Sequence, residues 1–208
     1  MELNKVYNMD CLEYMKTVPD NFFDLVLTDP PYGLGQRTVS GGSDKNSQTK
    51  FSDSMKDKKW DDRIPNDEIF KEIFRISKNQ IIFGGNYFDL PPTRCIIIWD
   101  KMTYIPTMSQ IEMAWTSFDT PARLFKINSN NNERLHPTQK PVRLMEFCIK
   151  NSFKELSKGI TVFDPFSGSG TTLISAKSLG LDYVGCELDE DYYNIINKRL
   201  QQVQGSLF

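Results

Sequence analysis

The sequence predicts an α/β fold in which a mostly parallel, largely buried sheet is doubly wound, with helices on both faces. Apolar runs of strand length recur between amphipathic stretches of helix length. Near the C-terminus one run passes through a glycine-rich turn into a helix and then into another run, the half-unit of a doubly wound sheet. The 208 residues, 39% hydrophobic and 12% aromatic, suffice for one buried core, so a single domain over residues 1–208 is expected.

The strand-length runs, in order, are Lys5–Met9, Asp24–Thr28, Gln80–Phe83, Cys95–Trp99, Ile111–Thr116, Ile160–Phe163 and Tyr183–Cys186. Helical patterns fall at Asn66–Ser77, Val142–Phe153, Thr171–Leu179 and Glu190–Gln202. The first begins after Pro65 with Asn66 placed to cap it, and the third stops at Gly180. The last repeats apolar Tyr193, Ile196 and Leu200 at three-to-four spacing. No internal repeat is visible, and the runs fit one sheet.

Two stretches fall outside this pattern. Residues 33–59 are rich in Ser, Gly and Lys with few apolar anchors, which suggests a mobile lid or, as the alternative, plain disorder. Phe118–His136, containing KINSNNNERLH, reads as a polar insert or a cluster of turns.

Composition excludes several classes. Charged residues make up 25% of the chain and nearly cancel to −2, which argues against disorder and against a basic coat for nucleic acid. The distribution is less even: +3 over residues 33–59 and +4 over 101–160, against −4 over 1–32 and −3 over 161–208. The basic segments could hold phosphates if they share a face; a solvated surface is the other reading. Cys11, Cys95, Cys148 and Cys186 form no CxxC pair, and His136 is the single histidine, so no metal site is expected. Four reduced thiols, an opening MELNKVYNMD without an apolar run, and no membrane-length segment together suggest a cytoplasmic chain with no membrane association.

The chemistry begins in Ile160–Leu188. An apolar strand ends at Asp164, the turn Ser167-Gly168-Ser169-Gly170 follows, a helix opens at Thr171-Thr172, and the next strand ends at Glu187. This is the unit that cradles a nucleoside-bearing cofactor at the carboxyl edge of a sheet. A dinucleotide fingerprint would need a small residue where Leu173 stands, and a P-loop would need Gly-Lys-Ser/Thr, which is absent. Glu187 suits both ribose hydroxyls, and Asp164 suits a cationic amino group. A nucleoside with an amino-acid tail, such as S-adenosyl-L-methionine, asks for that pair, although two structural acids at strand ends would fit the residues as well.

The second constellation, Asp29-Pro30-Pro31-Tyr32, follows the apolar strand Asp24–Thr28. Two prolines fix the backbone, present the Pro30 carbonyl and project Asp29 and Tyr32 rigidly. The exocyclic amine of a nucleobase is a poor nucleophile because its lone pair is delocalised into the ring. A carboxylate and a carbonyl accepting its two N–H bonds would draw the nitrogen toward tetrahedral geometry and free that pair. Tyr32 would stack on the base, worth roughly 1–3 kcal/mol. Alone, the tetrapeptide also fits a Pro-Pro turn closing a strand.

Together these motifs resemble the amino-methyltransferases of DNA, which carry an (Asp/Asn/Ser)-Pro-Pro-(Tyr/Phe/Trp) tetrapeptide and a glycine-rich cofactor motif. The order, DPPY before FDPFSGSGTT, is that of the circularly permuted beta class of the family. The segment Asn8-Met9-Asp10-Cys11-Leu12 is similar to the one whose acid meets the cofactor adenine, and HPTQKP, from His136 to Pro141, to the motif before the helix packed by the methionine tail. The resemblance spans nearly the whole chain and is weakest over 33–79 and 118–135. It implies a seven-stranded Rossmann-like methyltransferase sheet. It also implies catalytic Asp29, Pro30, Pro31 and Tyr32. The cofactor site it implies comprises Asp10, Cys11, Asp29, Lys140, Phe163, Asp164, Phe166, Ser167, Gly168, Ser169, Gly170, Thr171, Thr172, Glu187 and Leu188. In that site Lys140 offers a charge to the cofactor carboxylate.

The same resemblance implies action on an extruded base of double-stranded DNA. Adenine N6 is the first reading because the family's tetrapeptide begins with Asp more often in adenine enzymes; cytosine N4 is the alternative. A target-reading insert reduced to about 118–135 implies a short or relaxed site or help from a second subunit; beta-class relatives often pair, so the resemblance implies a homodimer, and a cognate restriction endonuclease is a further expected partner. A cofactor-binding specificity subunit is the rival from another class, and the intact tetrapeptide and glycine turn argue against it. Methyltransferases of RNA or protein glutamine normally place the cofactor motif first, so motif order argues against them.

Overall fold

The structure, a computed structural model, describes residues 1–33, 64–103, 109–128 and 139–203. Consecutive apolar residues make its central strands. β2 (Leu25–Thr28), β3 (Gln80–Phe83) and β7 (Thr161–Asp164) are buried at every position, as strands covered on both faces must be. Successive side chains go to opposite faces. Leu25, Leu27, Ile81 and Phe83 join one core with Leu144, Cys148, Leu173 and Ile196. Val26, Ile82 and Phe163 join another with Met15, Phe23, Phe70 and Ile73. The three-layer arrangement predicted from hydrophobic runs is therefore present.

The remaining strands are β1 (Lys5–Tyr7), β4 (Ile96–Asp100), β5 (Ile111–Thr116), β6 (Arg123–Lys126) and β8 (Asp182–Cys186), in the sheet order β1-β8-β7-β2-β3-β5-β4-β6. β5 runs antiparallel to both its neighbours, and every other pairing is parallel. The sheet has eight strands where seven are expected. The extra one, β6, comes from the Phe118–His136 insert and pairs with β4 from Ile97 to Asp100. It sits at the sheet edge with alternate residues exposed, so it needs no apolar run and gives none; its Arg123 and Lys126 also discourage pairing with another sheet.

The helices are α1 (Cys11–Met15), α2 (Asp67–Ile76), α3 (Val142–Lys150), α4 (Thr171–Ser178) and α5 (Glu190–Gln202). The last four match the helical patterns in the sequence. α1 is too short to show a period, but its cap is legible. Asp10 Oδ1 accepts the amide hydrogens of Leu12 at 2.8 Å and Glu13 at 3.3 Å, an Asp-x-x-Glu start. Asn66 caps α2 through Ile69 N–H at 3.1 Å, as its position predicts. All four cysteines are buried and unpaired, and no described helix is long and apolar enough to cross a membrane. Trp99 and Trp115 are core residues whose indole N–H groups donate to the carbonyls of Ile127 and Pro91.

Candidate active site

The chain leaves β7 toward β8 on one side and leaves β2 toward β3 on the other, while β7 and β2 are direct neighbours. That is a switch point, where parallel sheets open a crevice beyond their carboxyl ends. Strands β1, β8, β7, β2 and β3 all point the same way. Asp10, Glu187, Asp164 and Asp29 therefore gather at one edge from four separate stretches of chain. Thr28 joins the two halves: its hydroxyl, at the end of β2, donates to Asp164 Oδ1 at 2.8 Å.

On the β7–β8 side the glycine turn and two acids interlock. Glu187 accepts Gly168 N–H through Oε2 and Asp189 N–H through Oε1, both at 2.8 Å. Asp164 Oδ1 also accepts Phe166 N–H at 3.1 Å, and Ser167 Oγ donates to the Asp164 carbonyl at 3.0 Å. Burial pushes Asp164 up to about 6 despite its bonds from Thr172 and Thr28, and pushes Glu187 up to about 7 despite its backbone bonds. Neither acid is paired with a lysine or arginine among the described residues. Gly168 takes a left-handed φ of 51°, and a Cβ there would meet nothing within 4 Å, so open space lies over the turn. Two uncompensated acids beside a roomy glycine turn fit a ligand that carries positive charge.

Other predicted positions divide into side chains at the crevice and side chains in the core. Asp10 is exposed after β1, and Leu188 is 72% exposed beyond Glu187. Ser169, Thr171 and Thr172 are buried in the turn and first turn of α4. Phe163 is fully buried, with its ring stacked on Phe23 at 4.7 Å, so only its backbone can meet a ligand. Cys11 is buried as well, and burial pushes its thiol up to about 12.

On the β2 side every charge is matched. Lys140, only 4% exposed, places Nζ 2.6 Å from Asp29 Oδ2 and 2.8 Å from Glu112 Oε2. Glu112 Oε1 in turn lies 2.7 Å from Lys101 Nζ. The Tyr32 hydroxyl donates to Asp29 Oδ1 at 2.5 Å. Burial raises the Asp29 carboxyl above its usual range while Lys140 pulls it down; for Glu112 burial is outweighed by Lys140 and Lys101, which hold it at about 2. Lys140, expected to offer its charge to a cofactor carboxylate, here faces two protein carboxylates.

Tyr32 itself is clamped. Its ring stacks on Tyr87 at 4.8 Å and 17°, and it lies so close to Gly84 that a Cβ there would approach Cε1 to 2.1 Å. Gly84 also needs its φ of 69°, at the turn from β3 into the 3₁₀ turn Gly85–Tyr87. Sequence reasoning missed Glu112, Gly84, Tyr87 and Thr28. A charged residue inside the apolar run Ile111–Thr116 and a glycine doublet at a strand end were the available signals. The 33–59 loop, apart from Gly33, lies outside the described residues, as do His136 and the end of the insert at 129–135.

Comparison with known proteins gives the same picture. The family model for N6/N4 DNA methylases matches residues 98–198, from β4 into α5. The chain is 29% identical to the putative methylase YubD of Escherichia coli (strain K12) over 95% of this chain and 90% of that protein. It is 26% identical to the type II methyltransferase M.HinfI of Haemophilus influenzae over 97% of this chain and 69% of that one. Its fold matches a crystal structure of an M1.HpyAVI–SAM complex with a TM-score of 0.55 at 20% identity, covering 94% of this chain and 98% of the other. Both relatives align over nearly the whole of this chain, and the chain is similar to the N6-adenine/N4-cytosine DNA methylases, most directly over residues 98–198.

Proposed function

We propose that the chain is a single methyltransferase domain that methylates N6 of adenine, at a short site in duplex DNA, with the target base extruded. The observation that carries this reading is the position of Asp29. It follows β2 at the switch point, one strand from Asp164, with each oxygen accepting one donor, Tyr32 and Lys140. Bound S-adenosyl-L-methionine supplies an electrophilic sulfonium methyl group. Glu187 and Asp10 would hold its ribose and adenine end, and Asp164 its amino group. The segment from Phe163 through Thr172, with Cys11 and Leu188 at its margins, would line the site.

The chain's own residues then treat the amine. Asp29 and the Pro30 carbonyl accept its two N–H bonds, which localises the lone pair on nitrogen. Tyr32 presents a ring to the base, backed by Tyr87. A general base of tuned pKa is not required, since the proton leaves after the methyl group has arrived. Asp at the head of the tetrapeptide supports adenine over cytosine. The basic segments 33–59 and 101–160 are proposed to contact the DNA backbone, and a homodimer or a cognate endonuclease would complement the small target-reading insert.

The test is transfer of isotope-labelled methyl from S-adenosyl-L-methionine to unmethylated DNA, followed by nucleoside mass spectrometry and site mapping. N6-methyladenine at a defined sequence supports the reading, while N4-methylcytosine keeps the mechanism and changes the base. No incorporation by folded, cofactor-binding protein points to a partner-dependent subunit.

A further inference from the structure

We infer that Glu112 and Lys140 are positioning residues for Asp29: Glu112 seats the Lys140 ammonium against Oδ2, leaving Oδ1 as the acceptor for the target amine, with the Tyr32 hydroxyl as its placeholder. This rests on the reading of Asp29 as the amine acceptor and adds how that carboxylate is kept ionised and aimed.

The geometry is a chain of alternating charge, Lys101–Glu112–Lys140–Asp29, ending on the Tyr32 hydroxyl. Lys140 cannot turn to solvent. It is buried between the end of β2 and β5, with its ammonium 5.1 Å from the Phe83 ring centroid and 5.8 Å from that of Tyr32. Tyr32 must engage the base, so its hydroxyl is the donor that can yield; Lys140 stays. A cluster of two acids and two lysines around a buried ammonium gives little stability that apolar packing would not give as well. Its value here is local: it fixes one oxygen of Asp29 without neutralising it by protonation.

The groups that act on Asp29 are Lys140, Glu112 on β5, Tyr32, and Asp164 on β7. Lys140 draws the carboxyl pKa down. Glu112 acts the other way, both by its own charge and by sharing the ammonium. The two variants are therefore expected to move the acid limb of the pH–rate profile in opposite directions.

The experiment is single-turnover methyl transfer by the full chain to unmethylated duplex DNA, with saturating S-adenosyl-L-methionine, as a function of pH. For Glu112→Gln the acid limb should move to lower pH, with the plateau rate about tenfold lower because Lys140 is less well seated. For Lys140→Met it should move to higher pH with a loss of about 100-fold, and Lys140→Arg should restore the wild-type limb. The dissociation constant of S-adenosyl-L-methionine, by calorimetry, should stay within about twofold in all three. Limbs that do not move, or move together, would overturn the inference, as would a raised cofactor dissociation constant with an unchanged rate, which would return Lys140 to the cofactor. If Lys140→Met fails to fold, Glu112→Gln decides alone by the direction of its limb. Asp29→Ala separates the two levels: full turnover in that variant overturns the acceptor reading and the relay with it, whereas a dead Asp29→Ala beside unmoved limbs overturns the relay only.

Discussion

The two halves of the crevice treat negative charge in opposite ways. Around β2 and β5, Asp29 and Glu112 are matched by Lys140 and Lys101. Around β7 and β8, Asp164 and Glu187 have, among the described residues, only hydroxyls and backbone amides for partners, and burial raises them to about 6 and about 7. At the crevice edge the bond from Thr28 to Asp164 links the two halves. The difference fits the two reactants. A neutral nucleobase suits a site whose charges already cancel, whereas a sulfonium cofactor with an ammonium group suits one holding unmatched anions.

Breaking the balanced half should have the largest effect. Asp29→Ala removes the amine acceptor while leaving Lys140 its ion pair with Glu112, so turnover should fall by more than about 100-fold with the melting curve still cooperative. Retained turnover would remove the carboxylate from the mechanism. In the unbalanced half, Glu187→Ala should raise the cofactor dissociation constant by roughly 10- to 100-fold, read by calorimetry. Unchanged binding would end the ribose assignment.

Two of the left-handed glycines, Gly84 and Gly168, sharpen the same contrast. A methyl group on Gly84 collides with the Tyr32 ring, while one on Gly168 enters open space. Gly84→Ala should therefore lose about 1–3 kcal/mol of stability and some base affinity. Gly168→Ala should cost only about 1–2 kcal/mol for its φ and show instead in cofactor affinity. Equal effects of both on cofactor binding would mean that the two glycines do not serve different partners.

How much of this the sequence disclosed follows from range. β2, β3 and β7 are legible because burial on both faces demands consecutive apolar residues, and Asp29 and Glu187 because each stands at such a strand's end. β6 is not, because an edge strand with alternating exposure needs only four ordinary residues, Arg123 to Lys126. The role of Lys140 is hidden for another reason. It depends on Glu112, which reaches it only because β5 turns antiparallel and sets Glu112 opposite Trp99 in register. A local motif places Asp29; only tertiary pairing shows what neutralises it.

The smallest expected effect separates the halves by pH alone. Asp164 and Glu187 titrate higher folded than unfolded, where carboxyls sit near about 4. Their contribution to stability is complete below that value and is lost as pH rises through 6 and 7. Glu112, held at about 2, contributes above its unfolded value and loses that contribution as pH falls toward 2. The unliganded protein should thus be most stable at about pH 4–4.5 and lose on the order of 5 °C in melting temperature between about pH 5 and 8. Glu187→Gln should flatten that loss without touching the acid side, and Glu112→Gln should do the reverse. Saturating S-adenosyl-L-methionine, by placing positive charge beside Asp164, should favour both anions and reduce the loss at high pH. A melting temperature that is flat from pH 5 to 8 without cofactor would mean that the β7–β8 acids are not the unmatched charges from which this contrast is argued.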